Sequence, residues 1–264
     1  MTTVVKETET PEFAGRRAVV TGGTRGIGAA VARRLLEAGA QVLTTARSAA
    51  GEPPEGAAFV PADVRTRAGA EAVAAAAREA MGGVDIVVHN AGGAQAYEGS
   101  TDIPDEVWQD ALDLNFLSSV RLNALLVPQM RERRQGAIVH ISSAATLAPE
   151  AASFLHYSAA KAALETYSRG LALELAPYGV RVNAVSPGRI ATPGGEQTRA
   201  HWAEVAARME GAPVQNDTAL ATTPVGRDGR PDDIAEAVLF LVSERASFLI
   251  GRTLVVDGGE FPMG

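Results

Sequence analysis

Short runs of consecutive apolar residues alternate along this chain with longer stretches whose apolar positions recur at helical spacing. The short runs are Ala18–Val20, Gln41–Ala46, Ala57–Ala62, Val84–His89, Gly136–Ser143, Val180–Ser186 and Thr253–Asp257. They are rich in β-branched residues and do not alternate with polar ones, as strands covered on both faces do not. Between them the pattern predicts helices over Ala29–Gly39, Thr66–Met81, about Pro104–Arg134, Leu155–Pro177, Glu196–Gly211 and Asp232–Glu244. Strands and helices in strict alternation predict an α/β fold, a doubly wound parallel sheet of about seven strands with helices on both faces. Ligands then bind outside the carboxyl ends of the strands. The reading is one domain over 15–264 after a flexible tail, 1–14. The stretch 194–223 breaks the rhythm on the ligand side and reads as a substrate lid.

Composition narrows the class. The chain has 264 residues, 24 basic against 31 acidic, and 46% hydrophobic residues, which fits one large globular domain. Its net charge of −7, without basic blocks, excludes nucleic acid as a main partner. No apolar run approaches the roughly 20 residues that span a bilayer, and Met1–Glu7 lacks the basic-then-apolar pattern of a secretory leader. The absence of cysteine removes disulfides and thiolate metal sites and favours a cytoplasmic location. His89, His140, His156 and His201 are scattered with no metal-ligand spacing. His89 and His140 read as satisfied structural histidines at strand ends, while His156 stands about 100° around its helix from Tyr157.

The first strand runs into Thr21-Gly22-Gly23-Thr24-Arg25-Gly26-Ile27-Gly28 and then a helix. Strand, glycine turn and helix together make a phosphate-binding device, because the backbone approaches the ligand closely and a helix N-terminus offers unpaired N–H groups. The spacing is G-x-x-x-G-x-G rather than G-x-G-x-x-G. Downstream, Tyr157 and Lys161 are four apart on a helical stretch and so share one face. A nearby ammonium favours a phenolate, which predicts a phenol able to exchange a proton with a substrate oxygen near neutral pH.

In register, these motifs resemble the short-chain dehydrogenase/reductase family in its compact one-domain form. The resemblance spans about 15–260 and rests on Thr21-Gly22-x-x-x-Gly26-x-Gly28, Asn90-Ala91-Gly92, Asn115, Ser143, Tyr157-x-x-x-Lys161 and Pro187-Gly188. It implies that Tyr157 exchanges the proton, Ser143 holds the substrate oxygen, and Lys161 grips the nicotinamide ribose and depresses the Tyr157 pKa. Asn115 would anchor a relay water. The cofactor would lie along Gly22, Thr24, Arg25, Gly26, Ile27, Gly28, Ala91, Gly92, Pro187 and Gly188. Asp63 and Val64 would meet its adenine, Asn90 its adenosine ribose, and Ile190 and Thr192 its carboxamide. One departure is an interval from Ser143 to Tyr157 one residue longer than usual, read as an insertion in the loop, with Ser142 as the substitute. Surplus apolar surface on the two long helices, with the family habit, implies a homotetramer or homodimer.

The cofactor reading is NADP(H). Family members that use NAD place an acid after the second strand; here stand Ala46, Arg47 and Ser48, with Arg25 projecting toward the same corner. Two guanidinium groups can grip a 2′-phosphate. The resulting expectation is an oxidoreductase moving a hydride between the cofactor and a small ketone or secondary alcohol, working as a ketoreductase. The alternatives are an NAD-dependent dehydrogenase of a secondary alcohol or dihydrodiol, and a nucleotide-sensing protein without turnover.

Overall fold

The computed structural model describes residues 11–48, 51–147, 152–208 and 223–261. Seven strands form one parallel sheet: β1 (Arg17–Thr21), β2 (Gln41–Ala46), β3 (Ala58–Pro61), β4 (Ile86–His89), β5 (Gly136–Ile141), β6 (Val180–Pro187) and β7 (Thr253–Val256). Their order is β3-β2-β1-β4-β5-β6-β7, so the chain reverses its direction of winding between β1 and β4. That reversal opens a crevice at the carboxyl ends of β1 and β4. The register sets Val20 beside Val88 and His89 beside His140.

The all-apolar strand pattern follows from two covered faces. On one face Val20, Val88 and Val139 pack with α1 (Gly26–Glu37) and α7 (Pro231–Val242). On the other Val19, Val87 and Ile138 pack with α2 (Arg67–Met81), α4 (Ser118–Arg133) and α5 (Leu155–Leu175). Below the sheet, Arg17 grips the buried Asp85 through two 2.8 Å bonds, tying β1 to the start of β4.

Three boundaries differ from the sequence pattern. α1 begins at Gly26, three residues early, which brings Gly26, Ile27 and Gly28 into its first turn. The predicted long helix is α3 (Asp105–Leu112) and α4 joined by a π turn over Asp113–Leu117, with Asn115 inside it. Such a turn shifts the helical phase locally, which periodicity averages away. Residues 11–14 are not a loose tail: Phe13 is 3% exposed in the core, and its N–H donates to Ala38 O. Burying one aromatic ring outweighs the polar composition around it. The stretch expected to form a lid contains α6 (Pro193–Ala206), started by Pro193 and capped by Thr192, whose hydroxyl accepts from Gly195 N at 3.0 Å. The rest of the lid expectation, over 209–222, lies outside the described residues.

Candidate active site

The glycine turn is built for close approach. Gly22 holds a φ of +66°, and a Cβ on Gly28 would lie 2.2 Å from Gly22 O. Arg25 is the N-cap of α1 and supplies no capping hydrogen bond, and the first turn carries no acid. The N–H groups there keep their positive dipole end for a ligand. Asn90 braces the floor: its amide donates to Thr21 O at 2.9 Å and Gly22 O at 3.1 Å. That bracing engages the group expected to meet the adenosine ribose.

Across the crevice, α5 carries the chemistry. The Ser143 side chain lies beside the Tyr157 hydroxyl. Burial pushes the Tyr157 phenol above its ordinary value, and the neighbouring Ser143 hydroxyl pulls it back. This direction is the reverse of the depression expected from Lys161. The ammonium lies 5.8 Å from the Tyr157 ring centroid and donates to Ile141 O at 2.7 Å. Burial draws the Lys161 pKa down to about 8, against an opposing contribution from Glu165.

Asn115 and Lys161 converge on one backbone segment, because a Cβ on Gly92 would lie 2.9 Å from Asn115 Oδ1 and 3.1 Å from Lys161 Nζ. The Asn115 carboxamide is engaged with Gly93 N, Gly93 O and Ala111 O. Its side chain therefore clamps the strand end, where the resemblance implied a water anchor. Ser142 points away and donates to Glu165 Oε1 at 2.6 Å, leaving Ser143 toward the cleft.

One cavity of about 1400 Å³ gathers every expected site residue except Gly28, Ser48 and Asn115. Gly28 and Asn115 buttress its walls from behind, and Ser48 is exposed beyond β2. Pockets for one drug-sized ligand run to about 1,000 Å³, so this volume fits a dinucleotide and a second molecule. A buried hydroxyl without a partner, Thr45 Oγ1, belongs to the wall of the adenosine end, and Ser158 Oγ is a second. The uncapped α1 terminus and the glycine turn, where a Cβ on Gly28 would have no room, are the features that fit a nicotinamide dinucleotide. Asp63, expected at the adenine, is held well ionised by a bidentate grip from Arg65, which keeps its carboxyl below the ordinary value.

Several lining residues escaped the sequence. Gln95, Phe154, Arg199 and Phe261 reach the cavity only through tertiary folding. Phe154 meets Trp202 of α6 at 6.1 Å between centroids. Asp257 draws Phe261 in by accepting its N–H at 2.7 Å. Arg189 is neither solvated nor aimed at substrate alone, since it pairs with Glu260 at 3.6 Å. His156 does not face the cleft; it is buried edge-on to Tyr97 and Trp108.

His89 and His140 are structural, as their positions imply. The rings stack at 4.9 Å; His89 Nε2 meets Asn123 Oδ1 at 2.8 Å, and His140 Nδ1 meets Ser168 Oγ at 3.0 Å. Burial lowers both, His89 to about 4 and His140 well below its ordinary value. Between pH 6.5 and 4 the unfolded chain therefore binds a proton at His89 that the fold refuses, and stability falls as pH falls. His89 alone is expected to cost about 2 kcal/mol between pH 7 and 5. Carboxylates with lowered pKa act only below about 4, outside that window. Urea unfolding at the two pH values should show a shallower loss in His89→Asn. An identical loss in variant and wild type would exclude the histidine as the cause.

A doubly wound sheet, a glycine turn before α1 and a Ser-Tyr-Lys set facing it across one cavity define a dinucleotide-dependent oxidoreductase site. The pattern of the family described as enoyl-(acyl carrier protein) reductase matches residues 22–260. Bovine dehydrogenase/reductase SDR family member 4 is 36% identical over 252 residues, covering 92% of this chain and 86% of its own. The 3-oxoacyl-[acyl-carrier-protein] reductase FabG of Vibrio cholerae is 36% identical, covering 94% and 98%. The crystal structure of levodione reductase superposes with a TM-score of 0.84 at 27% identity, covering 94% and 98%. The chain belongs to the short-chain dehydrogenase/reductase family and is an oxidoreductase of that class, whose cofactor is NAD(P)(H). No helix among the described residues is long and apolar enough to cross a membrane.

Proposed function

We propose that the chain is an NADP(H)-dependent ketoreductase acting on a small ketone, and that it works as a homotetramer or homodimer. The observation that carries the cofactor choice is the rim of the adenosine end. Arg25 and Arg47 are exposed there and make no ion pair among the described residues, beside the neutral Ala46. Two guanidinium groups without an ion pair suit a 2′-phosphate, and Asp63, the acid within electrostatic reach of Arg47, is itself held by Arg65.

The nicotinamide supplies or receives the hydride when bound. Ser143 orients the substrate oxygen and Tyr157 moves the proton to or from it. Burial holds the phenol above its ordinary value, so Tyr157 stands protonated at neutral pH and serves as the proton donor when the ketone is reduced. Lys161, with a pKa of about 8, stays mostly charged at pH 7 and fixes the ribose side of the site. Trp202 of α6 packs on Phe154 at the wall of the cleft. The names of two relatives, 3-oxoacyl reductase and levodione reductase, agree with a ketone as substrate. Exposed Leu173 on α5 and Phe248 before β7 supply apolar surface for an assembly.

The test is kcat/KM with NADPH and NADH over ketones, β-ketoacyl thioesters, quinones and polyketide-like aromatics. NADPH is expected to win by at least about tenfold, since losing a charge-assisted phosphate contact is worth roughly that much. The double variant Ala46→Asp, Arg47→Gly should reverse the preference. Equal or better turnover with NADH in the unmodified protein overturns the cofactor reading, and no turnover of any ketone overturns the reaction.

A further inference from the structure

α6 is held on two sides, and this fixes where its third side points. One side docks on the loop after β4: Thr198 Oγ1 donates to Ala94 O at 3.3 Å, His201 Nε2 meets Ala96 O at 3.2 Å, and Arg208 pairs with Glu98 at 3.1 Å. Trp202 leans on Phe154. Arg199, one turn before Trp202, lines the cavity half-buried and makes no hydrogen bond or ion pair among the described residues. Even Glu196, three residues earlier on the same helix, does not engage it, and Glu260 is taken by Arg189. An always-charged group removed from part of its water and given no partner calls for an anion.

Its direction says which anion. Arg199 Nη1 lies 3.5 Å from where a Cβ on Gly195 would stand, so the side chain folds back over the first turn of α6. That turn is capped by Thr192, whose Cγ2 lies 3.4 Å from where a Cβ on Gly26 would stand. Gly26 opens the uncapped terminus of α1. The guanidinium therefore lies over the first turn of α6, whose cap Thr192 packs against Gly26 at the phosphate cradle.

We propose that Arg199 clamps the diphosphate of the dinucleotide from the lid side, opposite the α1 N-terminus, so that seating α6 and binding cofactor are one event. The proposal rests on the family's dinucleotide and not on the choice of NADPH or of a ketone, because the diphosphate is common to both cofactors. Calorimetric titration of the whole protein with NADH and with NADPH tests it without turnover. Arg199→Gln is expected to weaken both by the same factor, about tenfold. Arg199→Lys, which keeps a point charge, should lose less. Arg47→Gly should weaken NADPH alone. If Arg199→Gln weakens only NADPH, the residue serves the 2′-phosphate and the proposal fails. If it weakens neither, the proposal also fails. A loss of 4-acetylbenzoate binding to the cofactor-loaded protein in that case would assign the guanidinium to a substrate carboxylate. Failure of the ketoreductase reading would show as absent turnover with these affinities unaltered.

Discussion

Tyr157→Phe is expected to lower kcat by about 10³-fold while the dissociation constant for cofactor stays within about twofold. Phenylalanine keeps the ring in place on α5 and removes only the hydroxyl beside Ser143. Among the described residues, the polar groups nearest it are engaged elsewhere. Ser143 also accepts from Ala145 N at 3.2 Å, His156 is turned toward Tyr97 and Trp108, and Ser142 is bound to Glu165. The ammonium of Lys161 is the remaining acid nearby, and it is fastened to Ile141 O. Single-turnover measurement with saturating cofactor separates the effect on chemistry from any effect on binding. A variant retaining more than about a tenth of kcat would mean that a water or Lys161 moves the proton.

The sheet was legible because its strands obey the simplest rule available, burial on both faces, and because glycine turns mark their carboxyl ends. Gly22 and Gly28 are visible in sequence for the same steric reason that they work: nothing larger fits. The Tyr157 and Lys161 pair was legible as a helical i, i+4 spacing. What escaped has one cause, that direction and charge state depend on partners distant in sequence. The upward push on Tyr157 comes from burial, and the helix spacing alone predicted the opposite sign. The Asn115 carboxamide meets Gly93, 22 residues away, through a π turn that periodicity cannot display. Phe13 reads as part of a polar tail until its contact with the end of α1 is seen. Arg199 and Trp202 share a helix face in sequence, yet only the docking of α6 on Ala94, Ala96 and Glu98 turns that face inward.

Lys161→Met is expected to lose most activity and, at the same time, to stabilise the protein. Lys161 is 3% exposed, and burial lowers its pKa from 10.5 to about 8. Below pH 8 the folded and unfolded chains both carry the proton, and the fold bears the whole cost of a charge held away from water. The gap between the two pKa values corresponds to about 3 kcal/mol. As pH rises from 8 to 10.5, the fold sheds the proton while the unfolded chain keeps it, so stability rises and the cost disappears. Methionine has a similar reach and no charge. It removes that cost and loses the bond to Ile141 O, worth about 1 kcal/mol. The net gain at pH 7 is about 2 kcal/mol, or a rise in Tm of about 4–8 °C for a domain of this size. The gain should shrink in melts at pH 10, where wild-type Lys161 is already mostly neutral in the fold. Activity moves the other way, because the cation beside Asn115 and Gly92 is gone from the ribose side of the cleft. A Met variant that melts below wild type at pH 7 would show that the Nζ to Ile141 bond outweighs the burial of the charge. Lys161 would then be a structural tie and not a strained functional cation.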